Sequence, residues 1–129
     1  MRTWTRAAIF FGVGYALAGI VFAIPSTHVQ VWRLAAWGVS GMLLAMHVAY
    51  ERFRLENSPA RAAWHIGLGA AIGGFGIAVG ANVHSLLAAT PSRNQPMLLF
   101  SLGIWPVVTG LPAYLVALGV STVLARTRR

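Results

Sequence analysis

Charged side chains are so few and so clustered that they cut the chain into four uncharged stretches, residues 7–32, 34–50, 62–92 and 94–125. A helix of about 20 mainly apolar residues crosses the hydrocarbon of a bilayer, and each stretch meets or nearly meets that length. The pattern predicts an all-α fold, a polytopic integral membrane protein with one four-helix transmembrane domain over residues 1–129 and spans at about 7–24, 32–50, 60–89 and 97–125.

The breaks between spans have local causes. Pro25-Ser26 should end the first helix, because proline lacks a backbone donor. Glu51, Arg52, Arg54, Glu56 and Arg61 share a connection with Asn57-Ser58-Pro59, which reads as a solvated loop whose Ser58-Pro59 starts the third helix. Thr90 to Pro96 reads as a short outer turn. The apolar run that follows Arg2 and Arg6 is too long for the core of a signal peptide and is expected to remain as the first span.

Small residues recur on one face of each helix: Gly12, Ala16, Gly19 and Ala23 on span 1, Gly38, Gly41, Ala45 and Ala49 on span 2, and Gly103, Gly110, Ala117 and Ser121 on span 4. Lipid tails offer no hydrophobic drive between helices, so such faces mark close packing. Span 3 carries a glycine trough along Gly69, Gly73, Gly76 and Gly80. Two readings of it stand open, intimate contact with another helix or a flat ligand such as a porphyrin or a lipid lying in it.

Composition narrows the function. With 57% apolar and 9% charged residues the chain is far from a soluble domain, and the net charge of +8 sits at helix ends rather than in one stripe, which excludes nucleic acid as the expected partner. Without cysteine or lysine there is no disulfide, thiolate metal site, covalent haem or Schiff base. Arg2, Arg6, Arg52, Arg54, Arg61, Arg126, Arg128 and Arg129 fall on one side against Arg33 and Arg93 on the other, so the positive-inside rule puts both termini in the cytoplasm of a bacterial inner (plasma) membrane. Trp4 and Trp64 suit the cytoplasmic interface, and Trp32 and Trp37 the outer one.

Polar groups inside so apolar a chain are the candidate chemistry. Ser40, His47 and Glu51 form one stripe on span 2, and His65 and His84 lie on the glycine face of span 3, about 28 Å apart along the helix. The hairpin between spans 2 and 3 should bring His47 and His65 to matching depth. Two such imidazoles suit a b-type haem, with His84 and His28 as a second pair, and His47, Glu51 and His65 offer a ligand trio for a divalent metal. The plainer alternative is that His47 or His65 hydrogen-bonds Glu51, Tyr50 or a backbone carbonyl. Glu51, beside Arg52 and Arg54, is expected in a surface salt bridge.

Span 4 contains Trp105-Pro106 and Leu111-Pro112. Each proline forfeits one helical hydrogen bond, so Trp105, Pro106, Thr109 and Pro112, with Asn82 of span 3, are the candidates for a small-solute path, and a kinked helix repaired by Thr109 is the alternative. No phosphate loop, serine-nucleophile motif, HExxH or CxxC occurs. The expected function is therefore non-enzymatic: a small membrane protein acting as a homo-oligomer or as a subunit of a larger membrane complex, with Gly69, Gly73, Gly76, Gly80, Gly12 and Gly19 packing it. A haem-binding redox protein is the alternative.

Overall fold

The computed structural model describes residues 2–88 and 95–127 and is all-helical. Its elements are α1 (Thr3–Val21), α2 (Val29–Ala49) extended by a π-helical turn (Tyr50–Arg54), α3 (Pro59–Leu87) and α4 (Gln95–Arg126). Four helices are long and apolar enough to cross a membrane, the second one counted through its π-helical turn. Each of the four stretches expected as a span contains one of these helices. Arg93, Arg128, Arg129, Ala89 and residues 90–94 of the outer turn lie outside the described residues.

α2 begins earlier than proline and charge spacing indicate, because His28 adopts a left-handed conformation (φ 52°) and the helix starts directly after it. At its other end the helix does not stop at Tyr50 but widens. The Leu55 N–H bonds to Tyr50 O at 3.2 Å, five residues back, and Glu56 is left-handed (φ 50°), a conformation that commonly closes a helix. The Asn57 N–H then bonds to Glu51 O at 3.1 Å. The connection is thus folded back against the helix it follows.

α3 is the hub, packed chiefly on α4 and α1, with α2 touching the others lightly. It does so through two glycine faces. On the first, a Cβ added to Gly73 would stand 3.2 Å from Gly12 O, one on Gly76 would stand 2.7 Å from Ala16 Cβ, and one on Gly80 would meet Ile20. On the second, Gly67 and Gly110 approach reciprocally, an added Cβ on either standing 3.0–3.2 Å from the carbonyl oxygen of the other. The trough is therefore filled by α1, the first of the two readings above. Gly12 and Gly19 are closed against Ile72 and Ile77 of the same chain, so the faces expected to drive self-association are already occupied.

The order of contacts gives the directions. Trp4 meets His65 and Ile20 meets Gly80, so α1 and α3 run parallel, whereas Tyr114 meets Gly67 and Leu98 meets Asn82, so α4 runs opposite to α3. Leu124 packs against the buried cluster of Val48, Ala62, Ala63, Ile66 and Ala117. The starts of α1 and α3 and the ends of α2 and α4 thus share one end of the bundle. The outside is apolar, with Phe10, Leu34, Trp37 and Phe100 among many exposed side chains, as hydrocarbon requires and water does not.

α4 continues through Pro106 and Pro112 without interruption. Thr109 Oγ1 lies 2.8 Å from Trp105 O and 3.0 Å from Ala70 O on α3, so its hydroxyl serves the carbonyls beside the first proline and ties the two helices. The helix is continuous rather than broken, but the carbonyls that Pro106 and Pro112 free, those of Leu102 and Val108, are not the ones Thr109 serves.

Candidate functional site

A cluster of buried polar groups forms where α2 ends and α3 begins. The π-helical turn rotates Glu51 inward while Arg54 on the same turn stays exposed. Glu51 and His47 are fully buried, and His65 is 5% exposed. The expected surface salt bridge of Glu51 with arginine is therefore corrected: its partners are two imidazoles and an amide. Oε2 is hydrogen-bonded to His65 Nδ1 at 3.0 Å and accepts from Asn57 Nδ2 at 2.6 Å, while Oε1 stands 3.9 Å from His47 Nε2. The last distance is too long for a hydrogen bond.

Each imidazole is held by an aromatic ring of α1. Trp4 stacks on His65 with centroids 4.3 Å apart and Phe11 stacks on His47 at 4.2 Å, both pairs nearly parallel. Gly69 completes the seat, since a Cβ there would stand 2.9 Å from His47 Cε1. Asn57 is fixed in turn by Arg52, whose guanidinium donates to Asn57 O. What remains open is notable for a buried site: Glu51 Oε1 and both ring nitrogens of His47 have no hydrogen-bond partner. Such groups cost stability unless they serve something.

His47 and His65 do come together as expected, but with Glu51 between them. A bis-imidazole haem needs an open gap between the two rings, and here each ring is stacked on α1 and separated from the other by the carboxylate. Nor do the three residues form a metal shell: Oε2 is committed to His65 and Asn57, and no group of three His, Cys, Asp or Glu among the described residues is arranged to hold an ion. His28 and His84 are both exposed, and no hydrogen bond or ring contact joins them.

The candidates for a solute path are dispersed. Trp105 and Pro112 are exposed, Pro106 lines an apolar groove between α3 and α4, and Asn82 Nδ2 donates to Ala78 O at 2.9 Å and to Leu98 O at 2.7 Å as an interhelical tie. Residues that sequence reasoning missed are Asn57, Phe11 and the stacking role of Trp4. A signal existed for two of them: Trp4, Ala8, Phe11 and Tyr15 recur at helical spacing and mark the face of α1 that meets the site.

No family model, curated protein or solved structure matches the chain.

Proposed function

We propose that this chain is a small non-enzymatic protein of the inner (plasma) membrane, with both ends in the cytoplasm, that moves protons through the membrane, with His65, Glu51 and His47 as the proton-exchange site at its cytoplasmic end. The observation that carries the reading is the fully buried Glu51 carboxylate with one oxygen bonded to His65 and the other unpartnered beside His47. An ionisable side chain within a membrane helix is costly and marks a proton or ion pathway by default. A proton passing from His65 Nδ1 to Glu51 Oε2 leaves a neutral imidazole and a neutral acid, so no net charge is stranded in the interior. Rotation of the carboxyl then turns that proton toward His47 Nε2, and a side-chain shift that closes the 3.9 Å gap completes the transfer.

The groups facing the site are few. Asn57 and the Arg52 that fixes it come from the connection, Trp4 and Phe11 from α1, and His65 from α3. The arginine distribution supports placing this end in the cytoplasm. Any oligomer or larger complex would use other faces, on α2 at Gly38 and Gly41 or on α4 at Gly103 and Gly119, where an added Cβ meets nothing within 4 Å.

The test is proton movement in liposomes containing the purified protein and an entrapped pH dye, driven by a potassium diffusion potential. Wild type should acidify or alkalinise the lumen faster than empty liposomes, Glu51→Gln should fall to the empty rate, and His84→Gln should match wild type. A Glu51→Gln protein that is folded by circular dichroism and as fast as wild type overturns the reading, as does wild type no faster than empty liposomes.

A further inference from the structure

At the end of the bundle where α1 and α3 begin lies a cavity of about 370 Å³ lined by Arg2, Trp4, Asn57, Arg61 and His65. Its charge is one-sided. Neither Arg2 nor Arg61 makes an ion pair among the described residues, and of the two acids in the chain Glu51 is committed beneath the floor to His65 and Asn57. His65, only 5% exposed, spends Nδ1 on Glu51 and has Nε2 as its remaining ring nitrogen.

The backbone adds to the same sign. α1 and α3 are parallel, so their positive ends stand side by side at this cavity. Neither helix has a side-chain cap or an acidic residue in its first turn, and so the N–H groups that an N-terminus leaves free have no side-chain acceptor. Two unpaired guanidinium forks, an amide, a buried imidazole and two uncapped helix starts in one polar cavity form a receptor for an anion with several oxygen acceptors. A halide would satisfy the charge but not the forks, which match the geometry of phosphate.

We propose that this cavity binds a phosphate group, gripped by Arg2 and Arg61 with Trp4 as its apolar wall. The site lies at the end of the spans, where both a phospholipid headgroup and a soluble phosphate can reach it. The proposal stands apart from proton exchange, because it rests on the arginines and the cavity and not on the protonation of Glu51.

The experiment is isothermal titration calorimetry on the whole protein in a phosphate-free maltoside detergent, titrated separately with inorganic phosphate and with short-chain phosphatidic acid. Wild type should bind at least one of them. Heat with inorganic phosphate identifies a soluble ligand, and heat with phosphatidic acid alone identifies a headgroup. The double variant Arg2→Gln/Arg61→Gln should weaken binding by about tenfold or more, as loss of charge-assisted bonds implies, and Arg61→Lys, which keeps the charge but loses the fork, should give a smaller loss. The exposed pair Arg54→Gln/Arg126→Gln should bind as wild type. No heat with either titrant, or equal weakening in the Arg54/Arg126 variant, overturns the proposal. Should the Arg2/Arg61 variant fail to fold, Arg61→Lys decides: unchanged binding there also overturns it.

Discussion

Glu51 and His65, fourteen residues apart in sequence, meet at 3.0 Å with almost no exposure to the surroundings. They belong to different helices, so the pair closes the hairpin between α2 and α3 from the inside. α2 otherwise touches the bundle lightly, which makes this polar contact, with the stacking of Phe11 on His47, a principal tie holding that helix in place.

Removal of one partner from a buried pair leaves the others uncompensated and costs about 3–5 kcal/mol. Glu51→Ala strips His65 and Asn57 of their acceptor at once and should lose stability in that range, measured by tryptophan fluorescence during denaturation of the purified protein by SDS in mixed micelles. Glu51→Gln keeps the shape and should lose less, about 1–3 kcal/mol. A Glu51→Ala protein as stable as wild type would mean that the pair does not hold α2.

Glycines on the two sides of the bundle should behave oppositely. At Gly73 an added Cβ would press on Tyr15 Cβ with Gly12 O 3.2 Å away, leaving only backbone and a side-chain root to give way. Gly73→Ala should therefore cost about 1–3 kcal/mol, the usual range for overpacking. At Gly41 nothing lies within 4 Å, and Gly41→Ala should be neutral or gain up to about 1 kcal/mol from helix propensity. Thermal unfolding midpoints of the two variants in one detergent provide the comparison, and equal losses would contradict the packing.

The contrast between these glycines explains what could be read from the chain in advance. Uncharged stretches locate helices because hydrocarbon tolerates few charges, and so the four helices were legible. Small-residue stripes mark packing faces, but a stripe carries no address. Those of Gly12 and Gly73 meet each other within one chain, whereas that of Gly38 and Gly41 meets nothing. Glu51 was misread for a related reason. Its charged neighbours Arg52 and Arg54 suggest a solvated position in the sequence, yet the widened turn at Tyr50–Arg54 and the left-handed Glu56 set the direction of its side chain, and neither has a glycine or proline to announce it. The stripe of Ser40, His47 and Glu51 was visible; which way it faced was decided by Gly69 and Phe11 on other helices.

Thr109 serves carbonyls on two helices through one hydroxyl. Thr109→Val keeps the volume and removes the donor, so the expected loss is about 0.6–1.7 kcal/mol, the range of interhelical hydrogen bonds in membranes. Helix content by circular dichroism should stay the same, since the helix runs on past Pro106 and Pro112. Proton movement in liposomes should also be unchanged. A variant that is stable but loses flux would instead return Thr109 to a solute path.

Membrane orientation can be read directly because the chain has no cysteine of its own. The parallel course of α1 and α3 and the packing of Leu124 near Ala62 put Thr3, Glu56 and Thr127 at one end of the bundle, while Ser26 lies beyond α1 at the other. All four positions are exposed. Among the described residues, Arg2, Arg6, Arg52, Arg54, Arg61 and Arg126 share the first end and Arg33 stands near the second, a bias from which the positive-inside rule predicts a cytoplasmic first end. Single cysteines at these positions, probed on whole spheroplasts with a membrane-impermeant maleimide, should label at Ser26→Cys alone, and Thr3→Cys, Glu56→Cys and Thr127→Cys should react only after the membrane is opened. The reverse pattern would invert the orientation while leaving the bundle intact, and it would move the Glu51 site and the arginine-lined cavity to the outer surface. Labelling of Thr3→Cys and Thr127→Cys from opposite sides would contradict the helix directions themselves.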